Sequence, residues 1–292
     1  MRSHFEYIQP RSLKEALAFL GECGSQTSIL AGGTDLMIAV RNGDMAARYV
    51  MDVSRLDELR TLEAADGVLW VGAAVTYTEI MGNPQIAQWA PILAHAAGYV
   101  GSVQIRNVGT LGGNVANASP AADSVPPMIV HRARVHIQSA SSEHQEPLEN
   151  VIIGPYRTNL RPDELITGFA LEPLGEGYNW NFQRVARRRA LSVARINAAA
   201  IGRLDSRGKV EDLRLSVGSI TPEPSRMTAA EEHLKGEVPN PLLIREAAEK
   251  VSKEMVHRSG MRASTEYKRP AVEGLVIKAL TELFLKQSSD AQ

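Results

Sequence analysis

The chain has 292 residues, of which 44% are hydrophobic, and its 32 lysines and arginines against 33 aspartates and glutamates leave a formal net charge of −1. This balance is typical of a globular protein and argues against a nucleic-acid partner, which requires a basic surface. No apolar run approaches the ~20 residues of a transmembrane helix, so we expect no membrane span. The one cysteine, Cys23, excludes an intrachain disulfide and an all-cysteine iron–sulfur cluster, and it favours a reducing, cytoplasmic compartment.

The first segment alternates predicted helices and strands. Ser12 and Glu15 have capping-box spacing before a helical apolar pattern, so we predict a helix that Gly21 and Gly24 end. Strands are predicted at residues 27–30 (TSIL), 48–54 (RYVMDVS) and 68–75 (VLWVGAAV), with a short helical piece ending at residues 41–43. This alternation is typical of α/β structure.

The middle of the chain continues this pattern up to an almost uncharged segment. Thr76 and Glu79 again have capping-box spacing, and residues 90–100 (APILAHAAGYV) predict a buried helix. Residues 110–124 (TLGGNVANASPAADS) favour neither a helix nor an alternating strand, so we predict a loop there. A strand is predicted at residues 134–140 (RVHIQSA).

The pattern changes after about residue 176. Antiparallel strands are predicted at residues 179–186, 194–205 and 212–220, with the turn DSRGK between the last two. Helices are predicted at residues 228–236, 241–255 and about 265–286. The segment LEPLGEGYN, rich in glycine and proline, marks a boundary, so we predict one domain at residues 1–176 and a second at residues 177–292.

Two glycine pairs are candidates for binding a phosphate-bearing ligand. Gly32 and Gly33 directly follow a predicted strand, and a glycine loop can turn several backbone N–H groups toward one anion. Thr34 would add a hydroxyl group, and Asp35 would cap the following helix. A plain strand-to-helix turn is the other interpretation of this motif.

The second pair, Gly112 and Gly113, offers the same geometry between Thr110 and Asn114, whose side chains can donate hydrogen bonds. Two such loops can hold the two phosphates of a pyrophosphate from opposite sides. Asp123 could accept hydrogen bonds from a ribose or a base, and it could equally cap the following helix. Neither loop fits a G-x-G-x-x-G or Walker A pattern, the scattered histidines predict no metal site, and no serine lies in a G-x-S-x-G motif.

The two glycine loops are part of four segments that together resemble a known family. Residues 29–37 (ILAGGTDLM), 105–130 (IRNVGTLGGNVANASPAADSVPPMIV), 161–171 (RPDELITGFAL) and 182–200 (FQRVARRRALSVARINAAA) carry it. In order and spacing they resemble the FAD-binding medium subunit of the molybdenum hydroxylases, the family of xanthine dehydrogenase and carbon monoxide dehydrogenase. The resemblance implies an α+β fold. An FAD-binding domain (PCMH-type, vanillyl-alcohol-oxidase-like) of two α/β subdomains, about residues 1–57 and 58–176, would precede a C-terminal antiparallel sheet with helices, of carbon monoxide dehydrogenase flavoprotein type.

The resemblance also implies the cofactor contacts. The first phosphate loop would consist of Leu30, Ala31, Gly32, Gly33, Thr34, Asp35, Leu36 and Met37, and the second of Thr110, Leu111, Gly112, Gly113 and Asn114. The glycines would be required because the pyrophosphate of FAD lies on their backbone. Asp123 matches the acidic residue that binds the adenosine portion, and Ile166 matches an aliphatic position near the isoalloxazine ring.

A cation beside the flavin is a further implication of the resemblance. The family often has a lysine near the flavin edge, where this chain has Gln183 and Arg184. We assign the role to Arg184, with Gln183 as the alternative register, because a cation there would stabilise the anionic reduced ring. A solvated basic strand end is the other interpretation. Nucleic-acid binding by Arg184, Arg187, Arg188 and Arg189 is disfavoured, since no aromatic platform lies nearby.

The resemblance implies a heteromeric oxidoreductase. A large partner subunit would carry the molybdenum cofactor and oxidise the substrate, and a small one would carry two [2Fe–2S] clusters. This chain would pass electrons through FAD to an external acceptor such as NAD, oxygen or a quinone, without catalytic residues of its own, in a dimer of heterotrimers. Two alternatives remain open: a non-catalytic scaffold subunit with weak or absent FAD, and a stand-alone flavin oxidase of the same fold.

Overall fold

The computed structural model describes residues 5–188 and 192–286, and its first sheet is parallel with the strand order β1-β3-β2. The elements are β1 (Glu6–Ile8), α1 (Leu13–Cys23), β2 (Thr27–Leu30), α2 (Leu36–Asn42) and β3 (Tyr49–Asp52). The Ser12 side chain accepts a hydrogen bond from the Glu15 N–H and begins α1, as predicted. The prediction that Gly21 ends this helix is wrong, because α1 continues to Cys23 and Gly24 is its C-cap.

The second sheet is antiparallel, with the strand order β4-β5-β10-β6-β7. Its part of the chain contains β4 (Leu62–Ala65), β5 (Val68–Gly72), α3 (Tyr77–Gly82), α4 (Pro84–Trp89), α5 (Pro91–Ala97), α6 (Val103–Arg106), α7 (Leu111–Asn117), α8 (Val125–Val130), β6 (Arg134–Gln138), β7 (Glu143–Pro147), α9 (Leu148–Val151), β8 (Ile152–Gly154), β9 (Arg157–Thr158) and β10 (Leu165–Leu171). The predicted capping box of Thr76 and Glu79 begins α3. The strand β10 comes last in this part of the chain but lies in the middle of the sheet.

Helix α7 occupies part of the segment that the sequence predicted as a loop. Thr110 is its N-cap and accepts a hydrogen bond from the Gly113 N–H. Leu111 and Val115 are fully buried on one face of the helix, and this burial stabilises a helix whose glycines have low intrinsic propensity. The loop prediction is wrong here because tertiary packing outweighs the local composition.

The third sheet is antiparallel, as predicted, and its strand order is β11-β12-β13. Its elements, with the helices that follow, are β11 (Asn179–Ala186), β12 (Ala194–Leu204), β13 (Val210–Gly218), α10 (Thr228–Leu234), α11 (Pro241–Ser259) and α12 (Thr265–Phe284). The three helices share a hydrophobic core with β12 and β13. The strands β11 and β12 also form a smaller cluster with α5 and α8, which joins the third sheet to the preceding part.

A buried cluster of polar side chains also links the third sheet to the preceding part of the chain. Arg214 on β13 forms ion pairs with Glu172 at 2.9 Å and Asp212 at 3.0 Å, and it donates to the Val130 carbonyl oxygen at 3.3 Å. His131, at the end of α8, is fully buried. Its Nδ1 lies 2.7 Å from the Glu172 carbonyl oxygen, while its Nε2 has no partner among the described residues.

The three sheets and their helices confirm the predicted α+β fold class. The predicted divisions near residues 57 and 176 fall in the connections between β3 and β4 and between β10 and β11. Among the helices of residues 5–188 and 192–286, none combines the length and apolarity that crossing a membrane requires.

Candidate functional site

A cleft of about 980 Å³ runs between the glycine-rich segments, a volume at the upper end of the range for small-molecule sites. Its lining includes most of the predicted contact residues: Ala31, Gly32, Gly33, Thr34, Asp35, Leu36, Thr110, Gly112, Gly113, Asn114, Asp123, Ile166 and Arg184. Residues distant in sequence therefore meet around one cavity large enough for a dinucleotide.

The first loop joins β2 to α2 and presents unsatisfied donors. Gly33 has a φ of 68°, which favours glycine. The backbone N–H groups of residues 32–36 have no hydrogen-bond acceptor in the described part of the chain. Asp35 occupies the N-cap position of α2, as predicted, but its side chain makes no capping hydrogen bond among the described residues. Consecutive free N–H groups before a helix form a nest suited to an anion.

The two glycine segments touch each other. A Cβ added at Gly32 would lie 2.0 Å from the Val108 carbonyl oxygen, so the first loop packs backbone against backbone on the segment that precedes α7. Only glycine permits this approach. A shift of the first loop, on one wall of the cleft, would therefore also move the segment before α7 on the other wall.

The second segment differs from the predicted geometry. The N–H groups of Leu111 and Gly112 donate to the carbonyl oxygens of Val75 and Ala73, and the Gly113 N–H donates to the Thr110 hydroxyl. The expectation that this glycine pair repeats the donor geometry of the first loop is therefore wrong, because two of these N–H groups hold α7 against the segment that follows β5 and the third caps the helix.

Each glycine of the second pair has its own steric reason. A Cβ at Gly112 would lie 2.6 Å from the Ala73 Cβ, so this glycine is required by internal packing. A Cβ at Gly113 would meet only the Thr110 Oγ1, at 2.9 Å. Gly113 is exposed and lines the cleft, so it keeps open the space in which a ligand would lie.

Asn114 connects the cleft to a buried hydroxyl pair. Its Oδ1 accepts a hydrogen bond from the Ser124 Oγ at 2.8 Å, and Ser124 in turn contacts the Tyr77 hydroxyl at 3.1 Å. Within the described residues, the Asn114 amide nitrogen has no acceptor. Asn114 lines the cleft, so the prediction that its side chain donates a hydrogen bond to a ligand stays a prediction.

Asp123 lies at the inner wall of the cleft, 6% exposed. Arg184 Nε is 3.1 Å from both of its carboxylate oxygens, and Asn197 Nδ2 is 2.8 Å from Oδ1. Burial raises the pKa of Asp123, and the hydrogen bond from Asn197 and the charge of Arg184 partly oppose this rise. Its predicted capping role is wrong, because Ser124 takes the N-cap position of α8.

Arg184 is a buried cation and not a solvated strand end. Its side chain is 7% exposed, donates to the Ser192 carbonyl oxygen, and lies over the Tyr99 ring at 5.5 Å from the centroid. Gln183 points to the opposite face of β11, where its Nε2 contacts Glu282 Oε2 at 2.6 Å. Side chains alternate along a strand, so Arg184 lines the cleft and Gln183 does not. Arg189, of the basic segment considered above, lies outside the described residues.

The contact between Asp123 and Arg184 constrains the roles that the resemblance implies for them. Asp123 would bind the adenosine end of FAD and Arg184 the flavin edge. The two side chains are 3.1 Å apart, whereas the ends of an extended dinucleotide are not adjacent. For an extended cofactor, one of the two roles must change.

The remaining predicted residues differ in their placement. Ile166 on β10 is 5% exposed and lines the cleft. Leu30, Met37 and Leu111 are not part of the lining. Leu111 lies in the core and the Met37 side chain is 45% exposed. Leu30 Cδ1 packs beneath Gly33, 2.8 Å from where a Cβ would be.

Several lining residues were missed by the sequence predictions. They are Tyr99, Ser102, Ile105, Asn117, Tyr156 and Arg161. Ile105, Asn117 and Arg161 lie within the segments that carry the resemblance but were not singled out, and only the folding of separate segments around the cleft brings all six together. Ser102 alone had a usable signal, since a serine before a short helical segment is a typical N-cap, a role it takes for α6.

Comparison with known proteins identifies the family. The FAD binding domain in molybdopterin dehydrogenase matches residues 3–171, and the CO dehydrogenase flavoprotein C-terminal domain matches residues 181–283. The glyceraldehyde dehydrogenase medium chain of Sulfolobus acidocaldarius is 31% identical, over 96% of this chain and 98% of its own length. The putative xanthine dehydrogenase FAD-binding subunit of Escherichia coli is 31% identical, over 94% of each chain.

A solved structure agrees with these sequence matches. Carbon monoxide dehydrogenase from Hydrogenophaga pseudoflava superimposes with a TM-score of 0.90 at 25% identity, covering 97% of this chain and 98% of the matched one. The cleft described above thus lies within a fold shared by dehydrogenase subunits of known structure. The chain belongs to the FAD-binding medium subunits of the xanthine dehydrogenase and carbon monoxide dehydrogenase family of molybdenum hydroxylases.

Proposed function

We propose that the chain holds FAD in the cleft, with the pyrophosphate at the first loop. The observation that carries this assignment is the run of backbone N–H groups at residues 32–36 that have no acceptor within the described residues. A pyrophosphate would satisfy these donors, and the helix α2 that follows them favours negative charge at its N-terminus. Gly113 would leave room for the ligand on the opposite wall, and the Asn114 amide would donate to it.

FAD, when bound, supplies a redox centre that accepts and releases electrons one or two at a time. The part of this chain would be to position the ring, exclude water from it and set the charge around it. We propose that the electrons come from two [2Fe–2S] clusters on a small partner subunit and leave to NAD, oxygen or a quinone. The single Cys23 supports this division, because such clusters require several thiolate ligands.

The proposed complex includes a large subunit with the molybdenum cofactor, where substrate oxidation takes place, in a dimer of heterotrimers. The relatives support a multi-subunit enzyme, since one is named a medium chain and another an FAD-binding subunit. The free donors of the first loop argue against a scaffold subunit without FAD.

Binding measurements test the cofactor assignment. Added FAD should bind the purified chain at micromolar concentration, ADP should bind more weakly, and FMN should bind weakest because it lacks the pyrophosphate. Fluorescence quenching and isothermal titration calorimetry would measure the three affinities. FMN binding as tight as that of FAD, or no binding of FAD at all, would contradict the proposal and favour the scaffold alternative.

A redox titration tests the position of Arg184. In Arg184→Ala, the reduced, negatively charged cofactor would lose a nearby cation and face an unpaired Asp123. We expect the potential of the bound FAD to fall by about 20 mV, equivalent to about 1 kcal/mol for a two-electron couple.

Gln183→Ala is the matched control, because Gln183 faces Glu282 on the other side of β11. It should leave the potential unchanged. A shift in Gln183→Ala alone would favour the other register. An unchanged potential in both variants would remove Arg184 from the flavin end and leave the Asp123 pair for the adenosine end.

A further inference from the structure

Asn197 is a buried amide from the third sheet that reaches the wall of the cleft. It lies on β12, is fully buried, and donates through Nδ2 to Asp123 Oδ1 at 2.8 Å and to the Ala122 carbonyl oxygen at 3.3 Å. Its neighbours on the strand, Ile196 and Ala198, belong to the hydrophobic core. A polar residue at this position therefore has a specific partner across the domain junction.

We propose that Asn197 is a positioning residue that holds the Asp123 carboxylate toward the cofactor, so that the third sheet completes the FAD site. The inference rests on the proposed function, because it concerns the affinity of the same cleft for FAD. It goes beyond that function by assigning a role to a residue that does not line the cleft itself.

The hydrogen bonds of Asp123 leave one oxygen available. Oδ1 accepts from both Arg184 Nε and Asn197 Nδ2, whereas Oδ2 accepts from Arg184 Nε only. An ionised carboxylate oxygen can accept about two hydrogen bonds, so Oδ2 keeps capacity for a hydroxyl or N–H group of a ligand. The two donors on Oδ1 restrain the rotation of the carboxyl group, and the spare capacity of Oδ2 belongs to a residue that lines the cleft.

The surroundings of the Asn197 amide explain why this amide favours the ionised form of Asp123. A Cβ added at Gly218 would lie 2.1 Å from Asn197 Oδ1, so the absence of a side chain at Gly218 makes room for the amide. Asn197 Oδ1 has no donor among the described residues. The favourable contact of the side chain is thus at Nδ2, and a donor stabilises a carboxylate more than a neutral acid.

Among the described residues, two charged or titratable side chains interact with Asp123. They are Arg184 from β11 and Tyr77 from α3, whose hydroxyl contacts Ser124. Burial raises the pKa of Asp123, and Asn197 and Arg184 oppose that rise. Without the amide, the carboxyl group would hold its proton to higher pH, and a ligand that needs the carboxylate would bind less tightly at mildly acidic pH.

The test compares Asn197→Leu with Ser216→Ala across pH. Leucine has nearly the shape of asparagine without the donor. Ser216 is the control because it is 1% exposed on β13 of the same sheet and donates to the Ser225 carbonyl oxygen, away from Asp123. We expect the FAD affinity of Asn197→Leu to fall about tenfold relative to the control as the pH is lowered, and to recover toward the parent value as the pH rises.

Two further measurements test the same idea. One uses a variant that keeps Asn197, and the other follows Asp123 in the absence of FAD. Gly218→Ala pushes on the Asn197 amide without removing it and should show the same change in pH profile. In the FAD-free chain, the carboxyl carbon of Asp123, assigned by its loss in Asp123→Asn, should titrate at higher pH in both variants.

The outcomes separate this inference from the proposed function. A uniform loss of FAD affinity at all pH values would show a structural role only and overturn the inference. An Asp123 titration unchanged in the FAD-free variants would also overturn it. If the parent binds no FAD, the proposed function fails, and the carboxyl titration alone then decides whether Asn197 controls Asp123.

Discussion

Gly113→Val should weaken FAD binding about a hundredfold while the chain stays folded. The side chain of this variant would occupy the space that Gly113 leaves open at the cleft, where it would displace the ligand from the Asn114 amide and from the first loop. Losing one or two hydrogen bonds to a charged phosphate accounts for a change of this size. Fluorescence titration with FAD measures the affinity, and circular dichroism monitors the fold.

The reason for this effect is steric and not conformational. Gly113 lies within α7 and not at a positive φ, so alanine and valine can adopt its backbone. Both would place a Cβ 2.9 Å from Thr110 Oγ1, the N-cap of α7, so the difference between the two variants reports the space left for the ligand. A size series of Gly113→Ala and Gly113→Val should therefore weaken binding progressively. Gly112→Ala should behave differently, because its Cβ would collide with Ala73, and its main effect should be on stability.

Gly82→Val is the matched control. Gly82 ends α3, and a Cβ added there would meet nothing within 4 Å. This variant should bind FAD like the parent. If Gly113→Val is folded and also binds FAD like the parent, the ligand does not lie beside Gly113, and the cofactor must lie elsewhere in the cleft.

Acidification from about pH 7 to pH 5 should destabilise the parent chain through His131. Burial lowers the pKa of His131 to about 4, whereas an unfolded histidine has a pKa near 6.5. Below about pH 6.5 the unfolded chain therefore binds a proton that the folded chain excludes, and stability falls as the pH decreases toward 4. The expected contribution is about 2 kcal/mol between pH 7 and pH 5.

Urea unfolding of parent and His131→Asn at several pH values measures this contribution. The asparagine amide can replace Nδ1 as the donor to the Glu172 carbonyl oxygen but does not titrate. The free energy of unfolding of His131→Asn should thus change less between pH 7 and pH 5 than that of the parent. His257→Asn, at an exposed position on α11, is the control. Equal pH dependence in the parent and His131→Asn would show that the junction admits the charged imidazole.

Local signals predicted the elements that local interactions determine. Each helix start that was predicted depends on two residues only three positions apart, Ser12 with Glu15 and Thr76 with Glu79. Both helices begin there. The helix α7 was missed because its stability comes from packing against Ala73 and Val75, which are distant in sequence. A short segment with two glycines gives no sign of such packing.

The predictions for the candidate site likewise succeeded where the signal was local and failed where it came from distant residues. The first glycine loop follows a strand directly, so its place at the cleft was readable from the sequence. The sequence left open whether Arg184 or Gln183 faces the cofactor. Alternation along a strand places the two side chains on opposite faces but does not say which face lines the cleft. Asn197 was not predicted at all, since it lies in the run ARINAAAIG, which reads as a buried strand. Its role depends on a carboxylate from the other domain.

The central position of β10 has a consequence for the order of folding during synthesis. The strands β5 and β6 both pair with β10 and not with each other. The two outer hairpins, β4–β5 and β6–β7, thus remain separate until residues 165–171 have left the ribosome. Until then each hairpin presents an unpaired edge, the kind of surface on which nascent chains aggregate. Closure of this sheet also depends on pairing across nearly a hundred residues, which makes it an intrinsically slow step.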